Sequence, residues 1–312
     1  MGLKPEINQY LTQRAAMGLP AVWQASLDEI RGNTHLHVAL EQPLIDLFEV
    51  SKQKIIGLSS QLPIRIYRPS SDKNLPALVF YHGGGWVLNF LDIYEPALRK
   101  LAKAGEFVIV AVEYRKAPEH PFPAAFDDCF ATLNWVIQNA ESLGVDRDRI
   151  GVGGDSAGGN LASAVAIKAR DINLIRLCYQ LLIYPCNDKD MNYQSATKYA
   201  DNFGLTTKAM KWFWDQYLQS DEFEENPYAI PKKANSLKGV APAIILNAEF
   251  DPLVDDGKNY HNKLLADSVF SIYKEYKGQI HGFFNLSGIT EDAELLYSDI
   301  AENIRFLMER DK

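Results

Sequence analysis

The chain is poor in cysteine, in positive charge and in long apolar runs. Its 312 residues include 3 cysteines, Cys129, Cys178 and Cys186. An odd number without a Cys-x-x-Cys pair argues for buried thiols, and against a disulfide framework or a zinc site. Lys and Arg total 32 against 40 Asp and Glu, a formal charge of −8. Nucleic acid and anionic membrane surfaces are therefore not the expected partners. No apolar run reaches the roughly 18 residues of a membrane span, so no stable membrane insertion is expected. The opening Met1-Gly2-Leu3-Lys4-Pro5-Glu6 lacks the apolar stretch of a secretory signal. Glu6 also stands where a myristoylation motif wants Ser or Thr. A cytoplasmic location is the expectation, and it leaves the sequon Asn285-Leu286-Ser287 without a use. Internal repeats, low-complexity tracts and interdomain linkers are absent, so residues 1–312 read as a single domain.

What the chain has in quantity is apolar residues, 47% of the total, enough for a large core. Short apolar runs alternate with helix-like stretches. Strands are expected at Lys54–Gly57, Ile64–Arg68, Ala77–His82, Phe107–Val112, Arg149–Gly153, Ile175–Tyr184, Ala243–Glu249 and Phe270–Tyr276. Ala77-Leu78-Val79-Phe80 and Phe107-Val108-Ile109-Val110-Ala111-Val112 are continuously apolar, the pattern of strands covered on both faces. Helices are expected at Glu95–Ala104, Asp127–Ala140, Leu161–Arg170, Asp255–Ala266 and Glu291–Met308. This alternation indicates an α/β fold with a mostly parallel sheet. Residues 1–50 and 187–240 break the alternation. The second region carries a helix, Thr206–Leu218, with Trp212, Phe213, Trp214 and Tyr217, suited either to core packing or to roofing a substrate pocket.

Within Gly154-Asp155-Ser156-Ala157-Gly158 the pattern Gly-x-Ser-x-Gly places a serine between a strand-like and a helix-like segment. Such a serine sits on a sharp turn with its hydroxyl projecting. By itself the pattern also fits a tight glycine turn. Two phosphate-binding readings fail on the letters: no Gly-Lys-Ser/Thr closes a Walker loop, and Ser156 occupies the third glycine of a Gly-x-Gly-x-x-Gly fingerprint beginning at Gly151.

A serine nucleophile needs a histidine to take its proton and a carboxylate to orient that histidine. Of six histidines (35, 37, 82, 120, 261 and 281), His281 follows the last expected strand. Asp251 directly follows the strand Ala243–Glu249. Catalytic groups in parallel sheets gather beyond the carboxyl ends of strands, and Ser156, Asp251, His281 is the chain order of an α/β-hydrolase. Asp255 and Asp256 compete with Asp251 but read as the cap of the following helix. After the strand ending near Tyr81 comes His82-Gly83-Gly84-Gly85-Trp86. Its bare N–H groups suit an oxyanion hole, assigned to Gly84 and Gly85 with Ala157. His82 is read as structural, holding the loop.

These segments together carry a resemblance. His82-Gly83-Gly84-Gly85-Trp86, Tyr114 to Ala125, Gly154-Asp155-Ser156-Ala157-Gly158-Gly159-Asn160, Asp251-Pro252-Leu253 and His281-Gly282-Phe283 resemble the hormone-sensitive-lipase-like branch of the α/β-hydrolases, the bacterial family IV carboxylesterases. The resemblance implies an eight-stranded α/β-hydrolase sheet with a helical cap from about 1–50 and 187–240. It implies a Ser156–His281–Asp251 triad acting through an acyl-enzyme. Gly84, Gly85 and Ala157 would form the oxyanion hole, with His82, Gly83, Trp86 and Asp155 as supporting motif residues. Short-chain acyl esters are the implied substrates, without metal or cofactor. Plant gibberellin receptors resemble the same branch but lack a working triad histidine, whereas His281 is present here. Amide hydrolysis by the same machinery remains the alternative chemistry. The last strand, at a sheet edge, offers a homodimer interface.

Overall fold

The computed structural model describes residues 2–34, 36, 44–58 and 61–310. Of the six histidines, His35 and His37 lie outside the described residues, as does part of the segment 1–50.

Eight strands form one sheet: β1 (Glu49–Ile56), β2 (Gln61–Arg68), β3 (Leu75–Tyr81), β4 (Val108–Val112), β5 (Val145–Asp155), β6 (Gln180–Ile183), β7 (Ala243–Phe250) and β8 (Ser271–Ile280). Their order is β1-β2-β4-β3-β5-β6-β7-β8. β2 runs antiparallel to both neighbours, and the pairs from β4 through β8 are parallel. The continuously apolar strands sit in the centre, as two-sided burial requires. In β3, Ala77, Val79 and Tyr81 face one core and Leu78 and Phe80 the other.

Helices α1 (Pro5–Ala16), α2 (Leu27–Gly32), α3 (Leu91–Gly105), α4 (Ala124–Gln138), α5 (Ala157–Asp171), α6 (Gln194–Lys198), α7 (Thr207–Tyr217), α8 (Val254–Ala266) and α9 (Glu291–Arg310) complete the order. α4, α5 and α8 bury apolar faces in the first core, α3 and α9 in the second. α5, which follows the glycine-rich turn, is buried along almost its whole length.

The boundaries differ from expectation where local pattern misleads. The expected strand Ile175–Tyr184 contracts to β6, whose partners in β5 and β7 extend over only Gln180–Ile183. β1 begins at Glu49, earlier than the expected Lys54, because an exposed edge strand carries polar residues instead of an apolar run. α3 begins at Leu91, one turn before the expected Glu95, and accommodates Pro96 inside it. β8 lies at the sheet edge as expected, and it continues to Ile280, bringing His281 to the strand end. No helix among the described residues is long and apolar enough to cross a membrane.

Candidate active site

β5 ends at Asp155 and α5 begins at Ala157, leaving Ser156 alone at the turn. Its backbone is at φ 54°, ψ −119°, a conformation unfavourable for any residue with a Cβ. The turn is held by the Ser156 N–H donating to the Ile183 carbonyl at 2.8 Å. On either side there is no room for a side chain: a Cβ on Gly154 would lie 2.3 Å from the Tyr81 carbonyl oxygen. The glycines of the motif are thus set by contact with the end of β3.

β7 ends next to Asp251 and β8 next to His281, and the three strand ends converge. His281 Nε2 lies 2.8 Å from Ser156 Oγ. His281 Nδ1 lies 2.7 Å from Asp251 Oδ2. Asp251 is fully buried, and its other oxygen accepts from the Leu253 N–H at 2.8 Å. An acceptor carboxylate at Nδ1 fixes the proton there and leaves the Nε2 lone pair toward the serine. Tyr184 packs its ring against His281, with centroids 4.5 Å apart.

Asp255 and Asp256 are not the helix cap expected from sequence, since residue Leu253 occupies that position. Asp256 is buried and accepts from the N–H groups of Asn187 and Asp188 at 2.7 and 3.0 Å. Asp255 accepts from the Ser195 N–H at 2.8 Å. Both carboxylates tie the segment after β6 to α8, because that irregular segment has backbone donors with no strand partner. Burial, reinforced by the nearby Asp188 charge, pushes Asp256 well above the usual carboxylate range.

The glycine loop is attached to the elbow through Asp155. The Gly83 N–H donates to Asp155 Oδ1 at 2.7 Å, and Tyr94 Oη donates to Oδ2 at 3.1 Å. Burial raises the Asp155 carboxyl to about 6, against the lowering effect of the Gly83 N–H. Gly83 is thereby committed. Among the described residues no carbonyl or side chain accepts from the N–H groups of Gly84, Gly85 or Ala157. Gly84 and Gly85 line the same cavity as Ser156 and His281, while Ala157 opens α5 directly after Ser156.

His82 lies in the core with its ring stacked on Tyr114 at 4.2 Å. Its Nδ1 donates to the Gly83 carbonyl at 2.8 Å, and burial lowers it to about 4, so it is neutral at physiological pH. Trp86 carries the loop into the rest of the fold. It stacks on Tyr217 at 4.3 Å and packs at a tilt against Trp214 at 4.4 Å, both measured between ring centroids. On the aromatic helix α7, Trp214 and Tyr217 pack as core, whereas Met210 and Phe213 line the cavity. Glu119, within the Tyr114 to Ala125 segment, receives two hydrogen bonds from the Arg31 guanidinium of α2 at 2.6 and 2.8 Å.

The cavity at Ser156 has a volume of about 230 Å³. Beyond the glycine loop and elbow, its walls come from α1 and α7, from Ile93 and Tyr94 of α3, from Ile280 at the end of β8, and from loop residues that include Val22, Thr34, Leu205 and Leu286. A larger open depression of about 510 Å³, beside Arg31 and Lys116, does not reach Ser156. Sequence reasoning missed Tyr94 and Tyr184. The available signal was Asp155 itself, a carboxylate next to a buried turn, which needs donors from elsewhere in the chain.

A small-molecule hydrolase is the chemistry this geometry supports, and known proteins agree. The model of the alpha/beta hydrolase fold family matches residues 78–285. The chain is 39% identical over 232 residues to the carboxylesterase NlhH of Mycobacterium tuberculosis, covering 73% of each chain. It is 30% identical over 305 residues to an arylesterase of Saccharolobus solfataricus, covering 97% of this chain and 99% of that one. A solved esterase from the archaeon Pyrobaculum calidifontis superposes with a TM-score of 0.91 at 36% identity, over 99% of both chains. With the fold, the strand-end site and these relatives together, the chain belongs to the hormone-sensitive-lipase-like carboxylesterases of the α/β-hydrolase superfamily and is a carboxylic-ester hydrolase.

Proposed function

We propose that the chain hydrolyses short-chain acyl esters through a covalent acyl-enzyme on Ser156. The observation that carries this is the continuous relay from Ser156 Oγ to His281 Nε2 at 2.8 Å and from His281 Nδ1 to Asp251 Oδ2 at 2.7 Å. In the first half-reaction Ser156 Oγ attacks the ester carbonyl as its proton passes to Nε2 of His281. The tetrahedral oxygen gains a negative charge, which the N–H groups of Gly84, Gly85 and Ala157 stabilise. The carbon–oxygen bond to the alcohol then breaks, and His281 gives its proton to the leaving oxygen. In the second half-reaction water attacks the acyl-enzyme, His281 takes its proton, and the acid leaves as Ser156 recovers its hydrogen. Asp251 stays ionised, orienting the imidazole and stabilising its cationic form.

α1, α2, α6 and α7 act in this reading as a cap over the sheet-borne residues. Tyr10 and Arg14 of α1 and Ala209, Met210 and Phe213 of α7 contribute to the cavity walls, which supports that role, and the modest volume suits short acyl groups. A second copy of the chain is proposed to pair along β8; sedimentation as a monomer at micromolar concentration would exclude it. The test of the nucleophile is turnover of p-nitrophenyl butyrate by Ser156→Ala. The expected fall is at least about 10³-fold; turnover close to wild type would refute the assignment.

A further inference from the structure

Arg14 is the only lysine or arginine lining the catalytic cavity among the described residues. It lies in the last turn of α1, and its Nη1 donates to Tyr10 Oη at 3.2 Å. Tyr10 also lines the cavity. No described acidic side chain pairs with Arg14, whereas Arg31, Arg65, Arg99 and Arg115 are each paired with a carboxylate. The other formally charged group in the lining, besides the triad imidazole, is Asp155. Its oxygens are taken by Gly83 and Tyr94, so it does not neutralise Arg14. The cavity therefore combines apolar walls from Val22, Leu205, Met210 and Phe213 with one uncompensated guanidinium held by a tyrosine hydroxyl.

From this arrangement we propose that Arg14 selects esters carrying a carboxylate, such as half-esters of dicarboxylic acids or acyl esters of hydroxy acids. A guanidinium presents a planar fork of donors that matches a carboxylate. An uncharged ester of the same shape leaves that fork to water. The inference rests on the esterase reading and deepens it. The simpler role for Arg14 is to offset the negative end of the α1 dipole. That role would alter stability, and would affect charged and neutral esters alike.

Two pairs matched in carbon number separate these roles and locate the carboxylate. The p-nitrophenyl half-ester of adipate against p-nitrophenyl hexanoate places the charge on the acyl side. The butyrate ester of glycolate against ethyl butyrate places it on the alcohol side. For each pair the quantity read is the ratio of kcat/KM, charged over neutral, in wild type, Arg14→Gln, Arg14→Lys and Arg14→Glu. In at least one pair the ratio should fall about three- to tenfold in Arg14→Gln, through KM, as for a charged hydrogen bond open to solvent. It should fall further in Arg14→Glu, recover partly in Arg14→Lys, and lose its dependence on residue 14 near 0.5 M salt, where the screening length is only about 4 Å. Ratios within twofold of wild type in both pairs for Arg14→Gln and Arg14→Glu overturn the proposal. Wild-type turnover of the neutral esters reports separately on the esterase reading, so the two can fail independently.

Discussion

Gly158, two residues after Ser156, lies so close to Tyr81 that a Cβ there would sit 1.8 Å from the Tyr81 carbonyl oxygen. Tyr81 ends β3, and the glycine loop begins at the next residue. This backbone contact sets the spacing between the candidate oxyanion donors and the candidate nucleophile. Gly158→Ala must push the start of α5 away from β3. The expected cost is about 2–4 kcal/mol of stability, read as a lower Tm. A drop in kcat of tenfold or more should accompany it where the protein still folds. An alanine variant with unchanged Tm and kcat would show that the contact is not needed.

Asp251→Asn preserves the shape of the site and removes the charge. The asparagine amide can donate to Nδ1, which then favours the wrong imidazole tautomer for accepting the serine proton. A loss of about 10³–10⁴ in kcat is expected, with KM changed much less. Steady-state kinetics on a nitrophenyl ester reads both quantities, and a loss expressed mainly in KM would argue against an orienting role.

His82 and Asp155 act on stability in opposite directions as pH changes. Burial lowers His82 from 6.5 to about 4. Between those values the unfolded chain binds a proton that the native chain does not, so stability rises with pH. Burial raises Asp155 from 3.8 to about 6. There the native carboxyl retains a proton that the unfolded chain has lost, so stability falls as pH rises. Over roughly pH 4 to 6 the two contributions largely cancel. Asp155→Asn removes the second and leaves the first. Its unfolding free energy should rise with pH more steeply than wild type by up to about 1.4 kcal/mol per unit. Urea titrations at several pH values in that window check this; equal slopes for both proteins contradict it.

Phe213 stands over the oxyanion loop, where a Cβ on Gly85 would fall 2.3 Å from its ring. The same ring lines the catalytic cavity. Phe213→Ala should shift the preferred nitrophenyl ester to a longer or bulkier acyl group, at a stability cost of about 3 kcal/mol for emptying a buried aromatic site. An unchanged chain-length profile would place the acyl group elsewhere in the cavity.

The central strands were legible because two-sided burial writes itself as unbroken apolar runs, as in Phe107–Val112. That Ser156, Asp251 and His281 meet was legible because each lies within a few residues of an expected strand end, in the chain order of an α/β-hydrolase. β1 was partly hidden, since an edge strand tolerates Glu49 and Lys52. The true partners of Asp255 and Asp256 were also hidden: a helix-start carboxylate has the same local sequence whether it caps its own helix or binds the backbone of a distant segment. Tyr94 and Arg14 come from helices with no motif of their own. Their proximity to Ser156 arises from tertiary packing, which periodicity does not encode.

The most direct test is the site of covalent modification. After treatment with an organophosphate ester and proteolysis, mass spectrometry should find one phosphoryl adduct, on the peptide containing Ser156, with activity lost in proportion to labelling. Ser156→Ala should carry no adduct. Labelling of a different residue, or full activity after complete labelling of Ser156, would contradict the account.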